Sequence, residues 1–162
     1  MYRTELNQRI KGSSIIFLPN LYRANKTYGT TEHTIAMCTK LLLNDIQIFN
    51  HYVDEKTIET IWDAQATYGV EDAELNVYYK QNKIVADNPN VVVTYYDCPN
   101  GKTLSIVGNI SKEDQTAIID FSGLNKTLPG TINEELLKEN ITVENNHVKL
   151  KIPARHFRML GF

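Results

Sequence analysis

"VVVTYYDCPNGKTLSIVGNI", residues 91–110, reads as two β-strands folded back on each other. Both halves are rich in β-branched and aromatic residues, which fit a pleated, largely buried surface. Between them "CPNGK" places Asn100 and Gly101 where a tight hairpin needs positive φ angles. "QTAIIDF" (115–121) reads as a further strand, and "ITVENNHVKLKI" (141–152) as a second hairpin turning at Asn145 and Asn146. Several short strands with turn residues between them indicate an antiparallel sandwich.

"VKLKIPARHFRMLGF" (148–162) adds a constraint of its own. Val148, Leu150 and Ile152 share one face and Lys149 and Lys151 the other, the alternation of a half-buried strand. Phe157 and Met159 continue the apolar pattern on odd numbers. The backbone must therefore bend or bulge between Pro153 and His156. Arg155 and Arg158 are expected to tie down that corner through backbone or carboxylate contacts.

Before residue 74 the period is helical. "TEHTIAMCTKLLLNDIQIFNHY" (31–52) spaces Ile35, Cys38, Leu42, Ile46 and Phe49 by threes and fours, the pattern of one helix face. Thr30 or Thr31 can cap it, and Glu32 suits the first turn. "DEKTIETIWDAQATYG" (54–69) predicts a second helix with Asp54 as N-cap, Ile58, Ile61, Trp62 and Ala66 as its apolar stripe, and Gly69 as its stop. The short "HYVD" joint makes the two a helical hairpin. "SSIIFLP" (13–19) is nearly continuous apolar sequence and reads as a fully buried strand. The expected class is α+β, a strand and two helices in 1–75 followed by an all-β module in 76–162.

The 162 residues, 42% of them hydrophobic, suit one compact domain or a small domain with an added segment. A formal charge of −2 provides no basic field for nucleic acid or an anionic membrane surface. No apolar run reaches transmembrane length, and "MYRTELNQRI" has no apolar stretch before its charges, so no compartment is indicated. Cys38 and Cys98 belong to no close pair and read as free thiols. Sequons at Asn25, Asn109, Asn125 and Asn140 are what chance supplies in a chain rich in Asn and Thr.

Chemistry needs constellations, and the sequence offers none that is self-sufficient. Glu71, Asp72 and Glu74 follow a helix stop, where a solvated loop explains them. His33, His51, His147 and His156 are scattered without ligand spacing, so no metal and no cofactor is expected. Ser111 and Ser122 lack a nucleophile-elbow context. The pairs Tyr78/Tyr79 and Tyr95/Tyr96 must each put rings on opposite faces. The outer rings would either cover the junction with the helices, the favoured reading, or form an aromatic platform for sugars.

The half of the chain containing "LSIVGNIS" (104–111), "EELL" (134–137) and "VKLKIPARHFR" (148–158) resembles the C-terminal β-domain that follows the barrel in α-amylase-like and related glycoside hydrolases. The half containing "SIIFLPNLYRAN" and "IWDAQATYGVEDAELNVYY" is similar to the end of such a barrel. This resemblance implies a non-catalytic C-terminal portion whose sandwich stabilises the barrel end, with the catalytic carboxylates on earlier strands. It also implies that Asn20, Tyr22 and Arg23, in the loop after a barrel strand, contact sugar in a complete enzyme. The partners would be carbohydrate and the remainder of a barrel, or a second copy held through exposed apolar surface. The alternative is an independent carbohydrate-binding module using exposed tyrosines.

Overall fold

The computed structural model describes residues 16–17, 30–50 and 52–162, with Ile16 and Phe17 described by their backbone alone. In chain order the elements are β1 (Ile16–Phe17), α1 (Thr31–Leu42), β2 (Gln47–Ile48), α2 (Glu55–Tyr68), β3 (Glu74–Asn76), β4 (Val85–Ala86), β5 (Val91–Asp97), β6 (Thr103–Asn109), β7 (Gln115–Asp120), β8 (Thr131–Glu134), β9 (Glu139–Thr142), β10 (His147–Ile152) and β11 (Phe157–Gly161). β1 and β2 pair in parallel. The remaining strands form two antiparallel sheets, one of six in the order β3-β5-β6-β11-β8-β9 and one of three in the order β10-β7-β4. Two helices with mostly antiparallel sheets make the class α+β, as expected.

Both helices begin and end through local chemistry. Thr30 caps α1 by accepting a hydrogen bond from the His33 amide, and Asp54 caps α2 by accepting one from the Thr57 amide at 3.2 Å. Gly69 closes α2 in the left-handed conformation, φ 75°, its amide reaching the Gln65 and Ala66 carbonyls. α1 stops at Leu42, ten residues short of the helix predicted through Tyr52. Asp45 turns the chain at φ 56°, and Asn44 Nδ2 donates to the Lys40 carbonyl at 2.7 Å. Ile46 and Ile48 are buried on either side of the start of β2, while Phe49 is exposed. The helical hairpin is therefore corrected to helix, strand, helix. On α2 the buried face runs through Thr57, Ile58, Ile61, Ala64, Gln65 and Tyr68, whereas Trp62 and Ala66 face solvent.

The six-stranded sheet is covered on both faces, which explains why all seven residues of β6 are buried. One face presents Val92, Tyr96, Leu104, Ile106, Phe157 and Met159 to Ile35, Cys38, Leu42, Ile58 and Ile61 of the helices. The other presents Val91, Val93, Tyr95, Val107 and Leu160 to Ala117, Ile119, Val148, Leu150 and Ile152 of the three-stranded sheet. Strand alternation assigns neighbouring residues of β5, β6 and β11 to different cores.

The phase slip after Ile152 is the passage between the sheets. β10 ends at the Ile152–Gln115 pair of the smaller sheet, and β11 enters the larger one between β6 and β8. Lys149 and Lys151 are exposed and their apolar neighbours buried, as alternation requires. Phe157 and Met159 then face the helices rather than the space between sheets. Arg155 makes the turn at φ 60°, its carbonyl accepting from Thr39 Oγ1 at 2.7 Å, and Arg158 donates to the Lys151 carbonyl at 3.2 Å.

Two other expectations are corrected here. Asn145 and Asn146 do turn the chain, at φ 51° and 61°, but β9 before them pairs with β8 and β10 after them pairs with β7, so no extended hairpin forms. Asn100 lies outside the positive-φ region that Gly101 occupies at 82°. Its Oδ1 instead accepts from the Lys102 amide and its Nδ2 donates to the Tyr68 carbonyl, tying the β5–β6 turn to the end of α2.

Tyr68 supplies a first test. Its hydroxyl donates to Glu135 Oε1 at 3.0 Å, and its ring lies against Gly161, where an added Cβ would collide with the hydroxyl oxygen and the ring carbon that bears it. Gly161→Ala is expected to cost about 2–3 kcal/mol by overpacking. Urea unfolding should show that loss shrinking when Tyr68→Ala is added, because the two changes share one contact. Additive losses would mean that the ring gives way freely.

Candidate functional site

The order β1–α1–β2–α2, with β1 and β2 parallel, is the repeating unit of an α/β barrel or doubly wound sheet. Parallel strands point their carboxyl ends the same way, and in such folds ligands bind at that end. Asn20, Tyr22 and Arg23, the sugar contacts implied by resemblance, lie outside the described residues.

The carboxyl end of β2 is described, and it carries Phe49, Asn50 and Tyr52. Phe49 is 50% exposed and Tyr52 48% exposed. Tyr52 adopts φ 58°, a left-handed conformation that costs an aromatic residue about 1–3 kcal/mol. Asn50 Oδ1 is buried and has no hydrogen-bond partner among the described residues. Sequence reasoning missed these three because it ran them into α1. The signal was present in "NDIQIF", where a turn pair precedes a short apolar alternation.

The other candidates are parts of the scaffold. Of the four paired tyrosines, Tyr95 and Tyr96 are both buried, one in each core, and Tyr78 packs against the helix-side core. Tyr96 donates to Asp45 Oδ1 at 2.9 Å, linking β5 to the turn after α1. Tyr79 is exposed, its ring edge-on to Tyr78 and beneath the Lys80 ammonium. Tyr78 and Tyr96 thus cover the junction with the helices, Tyr95 fills the space between the sheets, and Tyr79 faces solvent.

His156 Nε2 lies 3.1 Å from Glu32 Oε2, while its Nδ1 faces the Ala154 carbonyl at 2.9 Å, so it braces α1 against the corner. His147 stands 3.7 Å from Asp120, and the pull of that imidazole adds to hydrogen bonds from Ser122 that hold the Asp120 carboxyl below its usual range. His33 Nδ1 lies 2.7 Å from Thr30 Oγ1, and His51 lies outside the described residues. Glu71, Asp72 and Glu74 are exposed. No group of three His, Cys, Asp or Glu side chains among the described residues is placed to hold a metal ion. Cys38 and Cys98 are free and buried, and burial pushes the Cys38 thiol up to about 12, far from a nucleophile at neutral pH.

A shallow groove of about 540 Å³ runs over the outer face of the three-stranded sheet, lined by Ile118, Ile141, Thr142, Glu144, Asn145, His147 and Lys149. It contains one carboxylate, whereas glycoside hydrolysis by acid and base requires two that face each other.

Asn109 and Glu134 are buried polar side chains that the sequence did not mark as structural. Asn109, within one of the sequons, is fully buried and donates from Nδ2 to the carbonyls of Glu113, Ile152 and Pro153 at 2.8–3.1 Å. Glu134, also fully buried, accepts from the amides of Leu137 and Met159 and so joins the β8–β9 turn to β11. Both belong to the fold rather than to a reaction.

No family model matches the sequence, and no curated protein matches it. Solved structures do. A noncanonic maltogenic α-amylase from Thermotoga neapolitana aligns with a TM-score of 0.57 at 13% identity, over 94% of this chain and 42% of its own. A GH27 β-L-arabinopyranosidase from Geobacillus stearothermophilus gives 0.57 at 13%, over 84% and 31%. α-Galactosidase I from Mortierella vinacea gives 0.53 at 15%, over 90% and 38%. These structures share the fold, and all three are glycoside hydrolases. The chain spans less than half the length of each. No helix of the described residues is long and apolar enough to cross a membrane.

Proposed function

We propose that the chain is the non-catalytic C-terminal portion of a glycoside hydrolase. Residues 1–75 would supply the last βα units of a barrel, and residues 76–162 a β-sandwich that packs on the barrel end and stabilises it. The order β1–α1–β2–α2, running from a parallel strand pair straight into antiparallel sheets, carries this reading. It is the arrangement expected where an α/β barrel passes into an all-β appendage. The glycoside hydrolases that share the fold, each matched over part of its length, support it further. In a complete enzyme Asn20, Tyr22 and Arg23 would contact the glycan, while the reacting carboxylates would come from other strands.

Such a portion would leave the apolar surfaces of β1 and of the helices short of their barrel neighbours. Two measurements test the reading. The coding sequence upstream of Met1 should continue in frame through the remaining βα units of an eight-unit barrel, with acidic residues at strand ends. The isolated chain should bind anilinonaphthalene sulfonate or self-associate in sedimentation. A stop codon without such units, together with a dye-silent monomer, would overturn the proposal.

A further inference from the structure

We infer that the Asn100–Gly101 peptide is a self-modification site, at which the turn between β5 and β6 deamidates once it lets go of α2. Asn100 is the one asparagine of the 162 residues that precedes a glycine. That order matters chemically, because the backbone nitrogen of the following residue is the nucleophile and glycine puts no side chain in its way. Both residues are exposed, and a Cβ added at Gly101 would meet nothing within 4 Å. Water therefore reaches the peptide.

The reaction consumes only water. The Gly101 nitrogen, having given its proton to solvent, attacks Asn100 Cγ; the bond from Cγ to Nδ2 breaks, and ammonia leaves with a proton taken from solvent. The five-membered imide so formed then adds one water. Opening at one carbonyl yields aspartate at position 100, and opening at the other yields an isoaspartyl link whose main chain runs through Cβ and Cγ.

The fold restrains each reacting group. The Gly101 amide donates to the Cys98 carbonyl at 2.9 Å, which keeps the nucleophile engaged. The Asn100 carboxamide is pinned at both ends, Nδ2 donating to the Tyr68 carbonyl at 3.1 Å and Oδ1 accepting from the Lys102 amide at 3.0 Å. Lys102 Nζ grips the same helix end through the Thr67 carbonyl at 3.2 Å, and lies 5.5 Å from the centre of the Tyr68 ring. Two carbonyls that the end of α2 leaves without helical partners are thereby satisfied from the β5–β6 turn. Aspartate at position 100 cannot donate to the Tyr68 carbonyl and sets a negative charge at the negative end of α2. Modification thus makes the undocking of the turn permanent.

The test incubates the whole chain in mildly alkaline buffer, folded and in urea. Mass spectrometry and isoaspartate-specific methylation then follow the peptide that contains Asn100. In urea Asn100 should convert before every other asparagine, and Gly101→Ala should slow it. The folded chain should convert about tenfold more slowly, the factor by which two hydrogen bonds lower the undocked fraction. Lys102→Ala, and Lys102→Met which keeps the side-chain length, should each raise the folded rate severalfold while leaving the rate in urea unchanged. Asn140, exposed before the branched Ile141, provides the control and should stay intact. Asn100→Asp should reproduce the product as a lowered urea midpoint. Equal rates in folded and unfolded chain would overturn the inference, as would a folded rate unmoved by both Lys102 substitutions or faster conversion of Asn140.

Discussion

Asn109→Ala is expected to lower the stability of the fold by about 3 kcal/mol, enough to move a urea midpoint far outside error. The side chain does the work of a small hub. Its amide group donates toward three carbonyls, of Glu113, Ile152 and Pro153, and its Oδ1 accepts from both the amide and the hydroxyl of Ser111 at 2.8–2.9 Å. Its backbone amide holds the His156 carbonyl at 2.9 Å. Truncation would orphan the Ile152 and Pro153 carbonyls where β10 ends and the Glu113 carbonyl in the β6–β7 loop, and leave a cavity. Asn109→Asp should be at least as damaging near neutral pH, since a carboxylate would face three carbonyl oxygens, and milder in acid, where a protonated carboxyl can donate once. Asn140→Ala, at an exposed sequon on β9, should change stability by less than about 0.5 kcal/mol. Equal effects at the two positions would show that the corner does not depend on Asn109.

Glu134→Ala should cost about 2–3 kcal/mol, because the Met159 amide would be left buried without an acceptor and the part-buried Leu137 amide would lose its own. Its pH dependence separates two contributions. Burial raises the Glu134 carboxyl above its ordinary value, while the amides of Met159 and Leu137 and the Arg158 guanidinium pull it back. A carboxyl whose folded pKa is raised binds its proton more tightly in the folded state. Its stabilising contribution is full below the unfolded value near 4.5 and declines as pH rises through the raised folded value. Wild type should therefore lose ground to Glu134→Gln as pH rises above the ordinary carboxylate value near 4.5, measured as paired urea midpoints at each pH. A gap that widens in favour of wild type as pH rises would mean that the charged hydrogen bonds outweigh burial.

What could be read from sequence was whatever local chemistry decides. Thr30, Asp54 and Gly69 end helices through groups within a few residues of themselves, and Gly101 and the Asn145–Asn146 pair turn the chain by φ preference alone. The parity of β10 was legible because solvent lies on one side of it. β6 was not, because both its faces are buried and alternation carries no contrast. Ile46 fits both the helical run from Ile35 and, with Ile48, the alternation of a strand, so the left-handed Asp45 is what separates α1 from β2. That ambiguity also concealed Phe49, Asn50 and Tyr52. Asn109 looked like a sequon because a glycan acceptor and a buried hub use the same residue, and the distinction lies in partners up to forty-four positions away. Strand partners at long range, such as β10 with β7, follow from packing and not from any turn.

The place of β11 in the larger sheet sets an order on biosynthesis. β8 and β9 reach β6 only through β11, yet they leave the ribosome before it does. At about 5–20 residues per second, the stretch from Thr142 to Phe157 takes on the order of a second to translate. During that interval the nascent β8–β9 hairpin has an open edge and Glu134 lacks the Met159 amide. The sheet closes in one late step, when its central strand arrives last, and a ribosome that pauses over residues 143–156 would prolong the time in which that edge can pair with another nascent chain.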